Sequence, residues 1–403
     1  MTPLYDIAVV GGGIVGMSFA MQAAVAFPGS RLIVLEKERK LCLHQTGRNS
    51  GVIHSGVYYK AGSLKARLCV AGAREVVEFC SRHGIPYEIC GKLIVATNER
   101  EAARLSVLFE SGIANGLTGL RILEGPAMRE IEPHVGGIRA LHVPSTGITD
   151  YTLVTSKYAE IAASNGVEIK TGARVIGFGS AGDEVIVRTQ TGEYRARYVV
   201  NCAGLYADRV AQMAGHSPSL MVVPFRGEYF DLAPGKTGLV RGLIYPVPDP
   251  SYPFLGVHFT RRIHGNVDAG PNAVLAFRRE GYRRTDFNLG ETIEMLRYPG
   301  FRLMARKHWK NGLVELRRSW RKEEFVVSCQ KLVPEVRTED LSSGESGVRA
   351  QAVAADGTLV DDFRFVERDR FLHVLNVPSP AATASLPIGR EIIKMVRGSG
   401  GVG

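Results

Sequence analysis

The feature that most constrains this chain lies within its first 36 residues. Ile7-Ala8-Val9-Val10 is a short β-branched run of the kind a buried parallel strand requires. It leads directly into Gly11-Gly12-Gly13-Ile14-Val15-Gly16, which fits G-x-G-x-x-G. Met17 to Ala26 are helix formers, and a second apolar run, Arg31 to Leu35, stops on Glu36. Strand, glycine turn, helix and strand in that order predict a βαβ unit on a parallel sheet. Gly11 permits the tight turn, Gly13 lets a pyrophosphate approach the backbone, and Gly16 lets helix and strand pack closely. The helix start at Ile14 and Val15 offers N–H groups and a positive dipole end to phosphates. Glu36, with Lys37 beside it, is placed to meet ribose hydroxyls. The pattern predicts a bound dinucleotide.

The run from 7 to 27 is apolar for long enough to resemble a membrane span, but three glycines interrupt it and no Lys or Arg precedes Arg31. It reads better as buried strand, turn and buried helix. No targeting segment is recognised, so the expectation is a cytoplasmic protein. Six cysteines show no C-x-x-C pair, which points to reduced thiols and no metal site. At 403 residues the chain predicts two domains. The net charge of +10 is uneven, with thirteen Lys/Arg against five Asp/Glu between Arg278 and Lys322. That surplus suits a solvated basic face, an anionic substrate or peripheral contact with an anionic membrane. Nucleic acid is not expected, since no recognition motif accompanies the charge.

About ten residues beyond the second strand comes Thr46-Gly47-Arg48-Asn49-Ser50-Gly51-Val52-Ile53-His54, polar and glycine-containing and then apolar. Such a segment suits a chain threading beneath an isoalloxazine ring, and favours FAD over NAD. Further along, Glu168–Lys170 reads as a parallel strand after a helix near Thr155–Ser164. Ala173–Phe178, Glu184–Thr189 and Glu193–Arg197 read as a meander, and Arg197–Asn201 as another strand opening at Cys202-Ala203-Gly204 into a helix. The tail Arg397–Gly403 is expected to be unstructured.

Several blocks carry a more specific signal: HQTGRNSGVIHSGVYYKAGSLKARLC from His44, PVPDPSYPFLGVHFTRRIHG from Pro246, GPNAVLAFRREGY from Gly270, GVRAQAV from Gly347 and HVLNVPSPAATASLPIG from His373. In these the chain resembles the D-amino-acid-oxidase-like flavoproteins, and more closely the L-2-hydroxyglutarate dehydrogenase/oxidase family. The resemblance implies an α/β (α+β) fold: a discontinuous Rossmann-like FAD-binding domain over 1–85, 145–220 and 340–403, and a mostly antiparallel β-sheet substrate domain with helices over 86–144 and 221–339. It places Val175 beside the adenine, lets the chain pass the cofactor at Ala203 and Gly204, and puts Ser379, Pro380, Ala381, Ala382 and Thr383 near the flavin pyrimidine. It also implies a quinone or oxygen as electron acceptor.

Oxidising a small anionic 2-hydroxy acid requires a hydride acceptor, a proton acceptor and a carboxylate clamp. Arg349 is the first candidate for the clamp, since a guanidinium grips a carboxylate bidentately. His258 and His54 compete as the base, with His258 preferred and His54 read as a polar group beside the flavin. A dicarboxylate would need a second clamp, for which Tyr59, Thr260, Arg261 and Arg278 are candidates, with Arg302 or Arg306 as further contributors. Rival readings on the same scaffold are oxidation of an amino acid or of glycerol 3-phosphate. A flavin-holding assembly protein and a flavin-free NAD dehydrogenase are the more distant ones.

Overall fold

A computed structural model describes residues 3–249 and 255–399. The apolar run at the start resolves as the sequence predicts. Strand Leu4–Val10 is followed by helix Ile14–Ala26 and strand Leu32–Leu35. Among the described residues, no helix is long and apolar enough to cross a membrane.

Two large sheets dominate. In the first, Leu4–Val10 lies between two parallel neighbours, Gly192–Asn201 and Leu32–Leu35, and the latter pairs in parallel with Glu168–Lys170. Phe371–Asn376 joins Gly192–Asn201 in parallel on Val199 to Asn201. These strands are nearly continuous Val, Ile and Leu because both faces are covered. Ile14–Ala26, Tyr151–Ser164 and Ser385–Gly398 pack on one face, in a cluster around Ile7, Phe19, Tyr158 and Ile392. The antiparallel pair Val175–Ala181 and Glu184–Thr189 contributes Val175, Val185 and Val187 to the cluster on the other.

Gly192–Asn201 departs from the expected pair of strands. It is one ten-residue strand, antiparallel to Glu184–Thr189 through Gly192 to Ala196 and parallel to Leu4–Val10 from Arg195 onward. No turn residue separates the two halves, so the backbone runs straight from one set of partners to the other. The expected unstructured tail also begins too early: Arg397 and Gly398 complete helix Ser385–Gly398, and Arg397 Nη2 donates to the Ala26 carbonyl at 2.7 Å. Residues 400–403 lie outside the described residues.

The second sheet has nine strands among the described residues. Its path runs Val274–Leu275, Leu220–Leu232, Val267–Gly270, His258–Arg261, Leu243–Pro246, Lys92–Ala96, Arg139–Val143 and Arg121–Glu124. Leu341–Ala354 joins it along the whole of Leu220–Leu232, from Leu220 opposite Ala354 to Leu232 opposite Leu341. Residues 341–354, which the division expected from sequence places in the FAD-binding domain with the rest of 340–403, pair here within this second sheet. A small sheet of Val52–Ile53, Gly147–Thr149 and Tyr87–Glu88 lies off both.

Candidate active site

A cavity of about 1100 Å³ is lined by elements of both large sheets. That is just above the roughly 300–1,000 Å³ common for small-molecule and cofactor sites.

One end is built by the βαβ unit. Gly11 has φ +108°, and a Cβ there would lie 2.5 Å from the Cys202 carbonyl oxygen. At Gly16 an added Cβ would meet the Gly11 carbonyl oxygen at 2.1 Å, so Gly16 lets the helix close on the turn rather than facing the cavity. Gly11, Gly13, Ile14 and Val15 line the wall. Glu36 is buried at the strand tip, with Oε2 accepting from Gly12 N at 2.8 Å and Oε1 from Glu38 N at 2.9 Å. Each oxygen keeps lone-pair capacity for a further donor. The Ile14 N–H donates to Thr46 Oγ1 at 3.0 Å. Sequence reading passed over both Gly12 and Thr46, although Thr46 opens the glycine-rich segment it singled out.

Val175 lines the wall beyond Glu36, with Ala173 and Arg174. Ala203 and Gly204 line the turn after Gly192–Asn201. Lys37 is also in the wall, where its ammonium pairs with Glu38 and Glu280 and approaches His44 Nε2 at 2.8 Å. Those two carboxylates and His44 lie close enough to share a cation, and Lys37 already supplies the charge.

Arg48, Asn49, Ser50 and Val52 carry the wall onward. Gly47 and Gly51 shape this segment without lining it. A Cβ on Gly47 would meet the Cys42 carbonyl oxygen at 2.1 Å, and one on Gly51 the Thr149 carbonyl oxygen at 2.5 Å. Opposite run Ser379, Pro380, Ala381, Ala382 and Thr383. The Thr383 hydroxyl accepts from His54 N at 3.1 Å and lies 2.9 Å from the Tyr151 hydroxyl, tying this segment to the one that follows Val52.

His54, His258, Tyr59 and Arg349 share the far end. His258 Nδ1 lies 2.8 Å from the Gly256 carbonyl oxygen. A carbonyl only accepts, so Nδ1 carries the proton and Nε2 keeps a lone pair. Burial pushes His258 down to about 3, with the Arg349 and Lys92 charges adding to it against the Gly256 hydrogen bond. His54 is likewise held to about 3 by burial, then by Lys92, His258 and Lys65. Its Nε2 lies 3.3 Å from Ser379 Oγ. Both imidazoles are neutral at physiological pH.

The other candidates for a second clamp do not reach the cavity. Thr260 is buried one pairing step further along its strand, 3.4 Å from the Tyr245 hydroxyl. Arg261 turns to the outside, pairing with Glu88 and donating to the Arg241 carbonyl at 2.6 Å. Arg278, Arg302 and Arg306 are exposed. The block from Pro246 to Gly265 supplies His258, while 250–254 within it lie outside the described residues. Among the described residues, Lys92 Nζ and Tyr58 Oη are buried without a hydrogen-bond partner.

A glycine-lined turn at a helix start, a buried carboxylate at the next strand tip and the cavity they border fit FAD, whose pyrophosphate Gly11–Val15 would hold and whose ribose Glu36 would meet. Comparison with known proteins agrees. The family model for FAD dependent oxidoreductases matches residues 6–395. The L-2-hydroxyglutarate dehydrogenase of Indibacter alkaliphilus is 47% identical over 389 residues, covering 96% of this chain and 98% of that protein. The Escherichia coli enzyme of the same name is 48% identical over 395 residues (98% and 93%), and the human mitochondrial one 44% over 413 (98% and 89%). Among solved structures, L-α-glycerophosphate oxidase from Mycoplasma pneumoniae with FAD bound superposes with a TM-score of 0.79 at 22% identity, covering 98% of this chain and 95% of that one. Glycine oxidase from Geobacillus kaustophilus gives 0.73 at 19% identity, with the same coverage. The chain belongs to the FAD dependent oxidoreductase family, with FAD as its cofactor.

Proposed function

We propose that this enzyme oxidises L-2-hydroxyglutarate to 2-oxoglutarate. The observation that carries the reading is the wall shared by Arg349 and two uncharged histidines, at the far end of the cavity from the phosphate cradle. Its identity of 44–48% to enzymes of that name, across nearly the whole chain, supports the substrate.

Bound FAD supplies the hydride acceptor. The Arg349 guanidinium grips the carboxylate next to the reacting carbon and fixes its distance and facing. His258 Nε2 takes the hydroxyl proton as the carbon gives up its hydride, so the substrate loses one proton and two electrons plus a second hydrogen nucleus, and the carbonyl forms. His54, held between Thr383 and Ser379, borders the reacting region as a polar neighbour. The electrons then leave to a quinone or to oxygen.

A quinone acceptor would bring the protein to a membrane, and helix Pro299–Trp320 has the face for it. Trp309, Leu313, Leu316 and Trp320 form an exposed apolar stripe flanked by Arg306, Lys310 and Arg317. The protein would then sit on the inner face of the cytoplasmic membrane.

Anaerobic mixing of FAD-loaded protein with L-2-hydroxyglutarate, D-alanine, glycine and glycerol 3-phosphate tests the substrate. L-2-hydroxyglutarate is expected to bleach the flavin absorbance fastest. Bleaching by another of the four and not by this one would overturn the reading. Reoxidation by a soluble quinone against air then identifies the acceptor.

A further inference from the structure

Behind the cavity wall near His258 lies a buried lysine with no hydrogen-bond partner among the described residues. Lys92 opens the strand Lys92–Ala96 and is 2% exposed. Its ammonium lies between two tyrosine rings, 4.4 Å from the Tyr58 centroid and 5.0 Å from that of Tyr245. Tyr245 in turn lies against the His258 imidazole, with ring centroids 3.9 Å apart. Tyr58, Lys92, Tyr245 and His258 therefore form one continuous column, and three of the four line the cavity.

Two features of this column point to a ligand. Lys92 Nζ and Tyr58 Oη are both buried and without a hydrogen-bond partner among the described residues. An ammonium has three donors and no acceptor, and burial holds the Tyr58 phenol well above its ordinary range, so it too stays a donor. An unpartnered buried ammonium is costly to keep and the tyrosine faces recover only part of that cost, so burial pushes Lys92 down to about 7, and a bound anion would hold it charged. The second feature is charge. His258 feels the charges of both Arg349 and Lys92.

We propose that Tyr58 and Lys92 form the subsite for a second carboxylate, so that the enzyme selects dicarboxylic 2-hydroxy acids over monocarboxylic ones. The Tyr58 hydroxyl donates to the distal carboxylate from the cavity wall, and the Lys92 ammonium behind it supplies the opposing charge. Arg349 and Lys92 then hold the two ends of one molecule, with His258 between them at the hydroxyl. The subsite rests on the reading of the reaction given above, and it takes over the role that Thr260, Arg261 and Arg278 do not reach.

The test compares FAD-loaded wild type, Lys92→Met and Tyr58→Phe on L-2-hydroxyglutarate and on L-2-hydroxybutyrate, which lacks the second carboxylate. Binding of glutarate, which cannot react, is measured alongside by calorimetry. Loss of one partner from a buried charged contact predicts that Lys92→Met lowers kcat/KM for the dicarboxylate roughly 30-fold or more. The same variant is expected to change the monocarboxylate less than about threefold, and glutarate affinity to fall in parallel with the dicarboxylate. Tyr58→Phe removes one neutral donor and is expected to cost roughly tenfold on the dicarboxylate alone. An equal loss on both substrates, or unchanged glutarate binding, overturns the subsite. Should Lys92→Met not hold FAD, Tyr58→Phe makes the same decision. Wild type that leaves L-2-hydroxyglutarate untouched would instead overturn the reaction, whatever the variants do.

Discussion

His258 is buried and His54 half-buried, and both have depressed basicity, yet only His258 has its tautomer set by a backbone carbonyl, at Gly256. A base whose proton sits on the far nitrogen is ready to accept; one beside a rotatable hydroxyl has no fixed preference. His258→Asn is therefore expected to reduce kcat roughly 10²- to 10⁴-fold. His54→Asn is expected to cost less, a difference that stopped-flow flavin reduction measures directly. The same two groups give the fold a dependence on pH. Each titrates near 3 in the folded chain against 6.5 when free, so between those values the unfolded chain binds more protons. Stability is full above 6.5 and falls as pH drops through this window, by about 1.4 kcal/mol per pH unit for each histidine. Denaturant titrations at pH 7 and pH 5 should show the loss, and His258→Asn should remove about half of it. Both histidines were legible in the sequence because each lies in a distinctive motif. Lys92 was not. It opens an apolar strand and reads as an ordinary edge residue, since the rings enclosing it come from Tyr58 and Tyr245, far away in the chain.

At the scale of elements, the βαβ unit was readable because Gly11 and Gly16 leave the turn little choice of geometry and Glu36 ends the second strand. The long pairing of Leu220–Leu232 with Leu341–Ala354 was much less visible. Its strands carry Arg226 and Glu228 in the interior, where they pair at 3.0 Å, so the usual alternation of apolar and polar residues is broken. That pairing is what delivers Arg349 to the cavity, opposite Phe225. It also sets a tight contact two residues earlier, where a Cβ on Gly347 would lie 2.4 Å from the Arg48 carbonyl oxygen. Gly347→Ala must push apart the strand that carries Arg349 and the segment that carries Arg48, both in the cavity wall. A destabilisation of about 1–3 kcal/mol is expected, together with weaker FAD retention, read from thermal melting and cofactor release. Helix Pro299–Trp320 supplies a separate test. Replacing Trp309 and Trp320 by Ala should abolish flotation with anionic vesicles, and about 1 M salt should reverse association of the wild type.

Across the whole molecule, residues from both large sheets line the cavity, so cofactor binding couples them. Adding FAD to about a hundred times its Kd should stabilise the protein by about 2.7 kcal/mol, and removing it should lower the denaturation midpoint accordingly. A flat response to FAD would mean that the cavity is not the folding-linked site described above. The two walls around the reacting carbon are built differently. On the side of Arg349, strand and cofactor loop abut backbone to backbone at Gly347, leaving no room for altered side chains. On the other side Tyr58 and Tyr245 pack in one cluster with Val52 of the glycine-containing segment, so the contact there runs through side chains. A changed side chain on that second side is therefore felt at Val52, so a new substrate preference acquired there should come with an altered seating of the yellow cofactor.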